Sequence, residues 1–417
     1  MLFCHDFTRN YNYKGLQYSS LIDSLNELFL KKGMKPLTIA RPYSVIPPDK
    51  CFGEVFTVNG GFARARFVDL MFNKLIGLFS SKSQKKDYFQ KLWWERIIKK
   101  ISPKIIIGVE PFKEICVASR TLGIPVFDVQ HGIIACTPSA HFYRLVHRDP
   151  SQAGWPDFII ARDPNTHEWL GLNRSEHFQS LHIGHPWLSR FSAKNITEDQ
   201  LVIEALNSIK KENDKPVILY SLQHLRDANG YPHSYAHLPD ILERYMKSES
   251  GEKYNWWIRL HPILLSEPNF SIVTNSLSEK FGTCPNIQWK SPTNAPLPCV
   301  LRFTNLHFTR DSSLTSEAAF FGVKTGILEK SDKWGHVEEA FRREISDGMA
   351  TILNVDDPSE LVSFIEMSLT SDVKHSDNLT LLKQSENFEL FADLAKEYVE
   401  GRTDLIELKS KLIEAYS

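Results

Sequence analysis

Short apolar runs alternate with helical segments along almost the whole chain, and this alternation constrains the fold more than any other feature. In the second half the order is strand PVILYSLQ, helix LPDILERYMKS, strand WWIRLHP, helix NFSIVTNSLSEKFG, strand NIQWK, strand LHFTRD, helix SLTSEAAFFG, strand KTGILE and helix PSELVSFIEMSL. Strands separated by helices cannot be joined by tight turns, so the pattern predicts a doubly wound parallel sheet. The first half repeats it. LFCHDF is a strand, YNYKGLQY a tyrosine-rich loop, and SSLIDSLNELFLKKGM a helix with Leu21, Leu25, Leu28 and Phe29 at helical spacing and Ser19 or Ser20 as its cap. PLTIARPY, KIIIGVE, IPVFDVQHG, DFIIARD and SLHIGHP follow as strands, with KEICVASRTLG a helix ending at Gly123.

The fold class is therefore α/β, with two Rossmann-like domains. The expected boundaries are 1–192 for the first domain and 193–384 for the second, with helical residues 385–417 crossing back onto the first. A chain of 417 residues with 42% hydrophobic content can build two such cores. The formal net charge of −1 and mixed charges remove the case for a nucleic-acid binder. Six scattered cysteines without a CxxC pair point to neither a zinc site nor a disulfide framework, which fits a reducing cytoplasm.

The N-terminal MLFCHDFTRNYNYKG lacks a signal-peptide pattern, and no apolar run reaches membrane-spanning length, so a soluble cytoplasmic protein is expected. Residues 62–100 read as two helices. The second, KKDYFQKLWWERIIKKI, is basic and amphipathic, which permits peripheral docking on an anionic inner-membrane surface. Such a helix more often packs its apolar stripe on a core.

Parallel sheets put ligands at the carboxyl ends of their strands. In the second half those ends carry Gln223, Arg226 and Asp227 after VILYSL, Arg259, His261 and Pro262 at WWIRLHP, and Ser312, Ser313 and Glu317 after LHFTRD. Hydroxyls at a strand-to-helix turn suit phosphate oxygens, and a carboxylate one turn later suits a ribose diol. The alternative is a plain helix cap, since Ser313 with Ser316-Glu317 satisfies much of the capping-box pattern without a ligand. His261 suits a phosphate or a base edge, although a His-Pro pair also serves simply to end a strand. Asp227 is a candidate nucleophile or general base, or else a surface partner of Arg226. In the first half, Gln130, His131 and Gly132 end a strand, with Gly132 allowing close backbone approach to a ligand, and Glu110 ends another. No Asp-x-Asp, GxxxxGK[ST], GxGxxG or GxSxG pattern occurs, so a metal-bridged diphosphate, ATP or dinucleotide chemistry and a serine nucleophile elbow are not indicated.

Taken together, His261-Pro262 and Ser312-Ser313 are similar to the CMP-binding motifs of bacterial GT-B sialyltransferases. The Gln130-His131-Gly132 run, with Gln223 and Asp227 following, resembles the β-Kdo transferases of capsule and O-antigen synthesis. The likeness runs over nearly the whole chain as an order of short motifs. It implies a GT-B fold with an inter-domain cleft, CMP-Kdo as donor, no metal or other cofactor, and an oligosaccharide or lipid-linked glycan acceptor. His261 would contact the CMP, Ser312 and Ser313 its phosphate, and Glu317 the ribose. Asp227 would be the nucleophile of a retaining double displacement. Arg226 or Arg259 would hold the sugar carboxylate, with Gln223, Gln130 and Gly132 positioning the substrate. His131 and Glu110 would position the donor or activate the acceptor hydroxyl. The acid-acid-glycine motif of the sialyltransferases is missing, which favours Kdo over sialic acid. Competing readings are an inverting CMP-sialic acid transferase, a CDP-glycerol glycerophosphotransferase and a non-catalytic polysaccharide-binding protein.

Overall fold

The computed structural model describes the chain apart from residues 1, 5–10, 41, 43–46, 54, 80–86, 133–153, 173–177, 193, 210–212, 224, 227–231, 235–237, 266, 311, 371–378 and 417. The chain divides into two compact units. Unit 1 comprises Met1–Ser189 and Gln384–Ser417, and unit 2 comprises Arg190–Lys383.

Unit 1 opens with β1 (Leu2–Cys4), β2 (Tyr11–Tyr13), β3 (Leu16–Tyr18), α1 (Ile22–Lys31), β4 (Thr38–Ala40) and β5 (Val55–Phe56). Then come α2 (Asn59–Phe79), α3 (Tyr88–Ile101), β6 (Ile106–Gly108), α4 (Lys113–Thr121) and β7 (Val126–Val129). It continues with β8 (Phe158–Ala161), α5 (Pro164–Leu172), β9 (Gln179–His182) and α6 (Pro186–Ser189). Seven strands form one parallel sheet in the order β5-β4-β1-β6-β7-β8-β9. The tyrosine-rich segment expected as a loop is an antiparallel hairpin of β2 and β3. Lys14 and Gly15 both take positive φ, 53° and 78°, as a two-residue hairpin turn demands, and the Gly15 N–H donates to Asn12 Oδ1. Ser19 is the cap of α1: its Oγ accepts from the Ile22 N–H while its own N–H donates to Asp23 Oδ2, a reciprocal arrangement.

Helix α3 puts Trp94 and Ile98 into a core with Phe62, Ile106 and Ile115. Its apolar stripe is therefore a packing stripe, and the surface-docking reading of that helix falls away.

Unit 2 begins with α7 (Asn195–Glu198) and α8 (Gln200–Asn207), followed by β10 (Val217–Leu222), β11 (Leu225–Arg226) and β12 (Pro232–Ser234). Next are α9 (Asp240–Met246), β13 (Asn255–Leu260), α10 (Asn269–Phe281), β14 (Ile287–Gln288), α11 (Lys290–Asn294) and α12 (Leu297–Phe303). The last part holds β15 (Leu306–Thr309), α13 (Leu314–Phe320), β16 (Thr325–Glu329), α14 (Trp334–Ala340), α15 (Arg342–Ser346), β17 (Ala350–Asn354) and α16 (Pro358–Thr370). Six of its strands form a parallel sheet ordered β14-β13-β10-β15-β16-β17. All six residues of β10 are buried, as expected of a strand with helices on both faces. Gly326 on β16 is where the rings of Phe308 and Phe364 crowd the sheet: a Cβ there would lie 2.6 Å from Phe308. Strand β17 and the helices α14 and α15 were not expected from the sequence.

Helices α17 (Leu379–Val399) and α18 (Leu405–Tyr416) close the chain. Phe391, Ala392, Ala395, Leu408 and Leu412 share one core with Leu25, Phe29, Phe127 and Phe158. The Phe391 ring meets Phe127 edge-on at 5.4 Å, and Lys32 pairs with both Glu389 and Asp393. Phe391→Ala should accordingly destabilise unit 1 by about 3–5 kcal/mol in urea denaturation; a change within error would mean that the closing helices contribute little to that core.

Candidate functional site

In both sheets the chain starts in the middle, builds outward on one side, then returns to the other side of its first strand. The reversal falls between β1 and β6 in unit 1 and between β10 and β15 in unit 2. At such a switch point the loops leave the sheet in opposite directions and open a crevice at the carboxyl ends of the strands. The sequence-predicted residues can be placed against these two positions.

In unit 2, Gln223 directly follows β10 and is half-buried. Arg226 is the second residue of β11, opposite Pro232. Asp227 lies outside the described residues. His261 and Pro262 follow β13, where Pro262 opens a single 3₁₀ turn to Leu265. The Ile263 N–H donates to His261 Nδ1 over 3.2 Å, which puts the proton of the neutral ring on Nε2 and makes that atom a donor.

The Ser312-Ser313 turn follows β15. Ser312 is the capping residue: its Oγ accepts from the Leu314 N–H, whereas Ser313 makes no side-chain capping bond. The capping role foreseen for Ser313 thus belongs to its neighbour. Glu317 is buried in the first turn of α13. Its charge works to raise the Arg259 pKa, and Arg259 stands on β13, on the other side of β10. Arg259 is itself engaged. Its Nη1 donates to the carbonyls of Pro292 and Ala295 at the end of α11, a helix terminus that favours a cation. Burial brings its pKa down to about 10, against the pull of Glu317. As a contact for a sugar carboxylate, Arg259 is therefore poorly available.

Sequence reasoning passed over Arg310. It ends the β15 stretch at the switch point, pairs with Glu329 at the end of β16, and among the described residues its buried Nε finds no partner. The run LHFTRD contains it, and only its strand-end position marks it. Also unforeseen is a polar chain inside the sheet: Ser221 Oγ lies 2.8 Å from His307 Nε2, and Thr325 Oγ1 lies 2.9 Å from His307 Nδ1. Burial lowers the His307 pKa to about 3, so this histidine is neutral and structural.

In unit 1, Glu110 follows β6 and takes φ +47°, a left-handed conformation that costs energy without a glycine. Its N–H donates to Asp128 Oδ1 over 2.8 Å, which holds that conformation. The Glu110 carboxylate lies 3.7 Å from His131 Nδ1, an ion pair whenever the ring is protonated. Gln130 is buried and bonded at both ends, accepting from the Arg162 N–H and donating to the Gly132 carbonyl and to Thr166 Oγ1. Its hydrogen bonds shape the loop that carries His131 and Gly132. A Cβ added at Gly132 would meet open space.

Asp128, at the end of β7, is the acid that sequence reasoning did not single out. Burial raises its carboxyl pKa to about 7, the Glu110 N–H opposes that rise, and the Glu110 charge adds to it. A carboxyl that exchanges its proton near neutrality beside a second acid and a histidine is equipped for general acid–base work. Among the described residues, no group of three His, Cys, Asp or Glu side chains is placed to hold a metal ion.

No protein-family model matches the chain, and no curated protein matches it in sequence. Its likeness is structural. The wall teichoic acid polymerase TagF superposes with a TM-score of 0.57 at 15% identity over 97% of this chain and 90% of that one, and a TagF variant has also been solved after a soak with CDPG. A putative UDP-N-acetylglucosamine 2-epimerase from Listeria monocytogenes gives 0.54 at 13% identity, covering 97% of each chain. The glycotransferase of kitacinnamycin gives 0.52 at 12% identity, covering 95% of this chain and 98% of that one. These neighbours share the two-domain α/β arrangement known as GT-B, and GT-B is the fold class of this chain. With 342 solved chains matching, the fold alone does not choose among activities.

The Asp128 environment has a measurable consequence. Between its ordinary value of 3.8 and about 7 the native state holds one proton more than the unfolded chain, so the contribution of this group to stability falls as pH rises through that window. Relative to Asp128→Asn, the wild type should lose up to about 1.4 kcal/mol per pH unit there. Parallel stability–pH curves for the two proteins would show that Asp128 titrates normally.

Proposed function

We propose that the protein is a glycosyltransferase that moves Kdo from CMP-Kdo to a surface-polysaccharide acceptor with retention of anomeric configuration. The observation that carries the reading is the collection of His261, Ser313, Glu317 and Gln223 around the carboxyl end of one first strand, β10. A CMP leaving group carries one phosphate, and neutral donors such as Ser313 Oγ and His261 Nε2–H can stabilise it as charge develops. Glu317 suits the ribose diol. Ser312 supports the turn by capping it, and Arg226 is the cation suited to the carboxylate of the sugar, since Arg310 is already paired with Glu329.

In the first step an Asp227 carboxylate oxygen bonds to the anomeric carbon while the bond from that carbon to the CMP phosphate oxygen breaks, and CMP leaves with the electron pair. In the second, the acceptor hydroxyl attacks the same carbon, the bond to Asp227 breaks, and the hydroxyl proton passes to a base. Glu110, with His131 and Asp128 beside it, is assigned that proton. The reading calls for no metal or cofactor.

A second reading, glycerophosphate transfer from CDP-glycerol, is favoured by the likeness to TagF. The donor distinguishes the two. Titration calorimetry should give tighter binding for CMP-Kdo than for CDP-glycerol, and the reverse order would support the second reading. Ser313→Ala and His261→Ala should each weaken CMP about tenfold, the usual loss for one hydrogen bond to a charged group. Ser312→Ala should act mainly on stability. Unchanged CMP affinity in the first two variants would move the nucleotide elsewhere. Asp227→Ala should abolish transfer with CMP affinity unchanged, and intact protein incubated with CMP-Kdo should show a sugar adduct by mass spectrometry. Retained turnover in that variant would exclude Asp227 as the nucleophile.

A further inference from the structure

Helix α2 carries an apolar stripe that faces away from the core of unit 1. Successive helical residues turn by about 100°, so the buried Phe62, Ala65 and Asp69 mark its inner face. Phe67, Leu70, Met71 and Leu75 fall on the opposite side, exposed by 62%, 60%, 47% and 54%. A single exposed leucine is ordinary on any protein surface. Four large apolar side chains on one face, within three turns, form a patch of the kind that marks an interaction surface.

The charges on this helix narrow the choice of partner. Arg64 and Lys74 lie on the same outward face and are exposed. The only acid of α2 is Asp69, and it is turned inward, its two carboxylate oxygens accepting the Phe89 and Gln90 N–H groups at the start of α3. The outer face therefore combines apolar side chains with positive charge and has no negative charge of its own. In a two-fold pair of copies this face would meet itself, setting cations against cations with no acid between them. An anionic lipid surface is complementary on both counts: the acyl boundary takes the apolar stripe, and the headgroups take Arg64 and Lys74, whose long stems let the charges stay in the headgroup layer.

We infer that α2 is a membrane-surface helix that seats unit 1 on an anionic bilayer, lying in the plane of the interface. Among the described residues no helix is long and apolar enough to cross a membrane. The inference concerns attachment and stands whatever donor the site uses.

Co-sedimentation of the full chain with vesicles tests it, using phosphatidylcholine alone and phosphatidylcholine mixed with phosphatidylglycerol. The protein should partition onto the mixed vesicles, and less so as salt is raised. Phe67→Ser combined with Leu70→Ser should lower the partition coefficient by about a hundredfold, tenfold or so for each side chain. Arg64→Glu with Lys74→Glu, which leaves the apolar stripe intact, should remove the preference for the anionic vesicles. Leu172→Ser, at an 80% exposed leucine on α5, should change nothing. The inference is overturned by failure to bind the anionic vesicles, by binding indifferent to the α2 changes, or by an equal loss in Leu172→Ser. A dimer in sedimentation velocity that the Phe67→Ser, Leu70→Ser protein no longer forms would likewise overturn it, assigning the face to a second copy.

Discussion

Parallel pairing on both sides of a unit's first strand is the constraint from which the rest of the arrangement follows. Strand β10 is paired along its six residues with β13 and along three of them with β15. A parallel neighbour cannot be reached by a tight turn, so each strand must be followed by a crossover that returns the chain to the same edge of the sheet. Those crossovers cover both faces and force the strands to be apolar on successive residues. They also leave the carboxyl ends as the place where side chains of several strands meet without a helix packed over them. Beside β10 the crossovers diverge, and residues distant in sequence, such as Gln223 and Ser313, come to one end of the sheet for that reason alone.

Buried charge near the strand ends is paired in both units, with one exception. In unit 2, Arg310 and Glu329 neutralise each other, and Arg259 is held by helix-end carbonyls with Glu317 near it. Each buried ion has a partner, as the cost of desolvation requires. In unit 1 Arg162 and Asp163 pair in the same way, but among the described residues the buried Asp128 has a backbone N–H and a second acid for company, so its charge is disfavoured and its pKa rises to about 7. A buried carboxyl without a cation beside it suits proton transfer.

How much of this was legible in the sequence depended on whether a residue's role was local. The buried strands VILYSL, WWIRL and TGILE were readable because continuous apolar runs of that length have few other uses. Strand β17 was missed because it sits at the sheet edge, with only part of ATILN buried. The hairpin of β2 and β3 was missed because Lys14-Gly15 is a weaker turn signal than Asn-Gly, so the tyrosines on either side read as a loop. Candidate site residues were legible where a strand end coincided with a distinctive pair, as at His261-Pro262. Asp128 and Arg310 carry no such mark. Their significance comes from burial and from partners 18 and 19 residues away, which spacing does not reveal.

The adjacent helices α2 and α3 show the same limit in another form. Judged by sequence, α3 is the helix whose pattern permits surface docking, with two tryptophans, three isoleucines and several lysines, although core packing is the commoner use of such a stripe; α2 carries no comparable mark. Tertiary packing bears out the core role of α3 and leaves the exposed stripe on α2. Asp69 anchors the start of α3 through two backbone N–H groups, and with α3 fixed there its Trp94 and Ile98 fill the space above β6 and α4. That side of α2 is then fully used, and a helix with apolar residues all round must leave some of them outside. An amphipathic pattern shows that a helix has two faces; which apolar face reaches the core is decided by the neighbour that packs there.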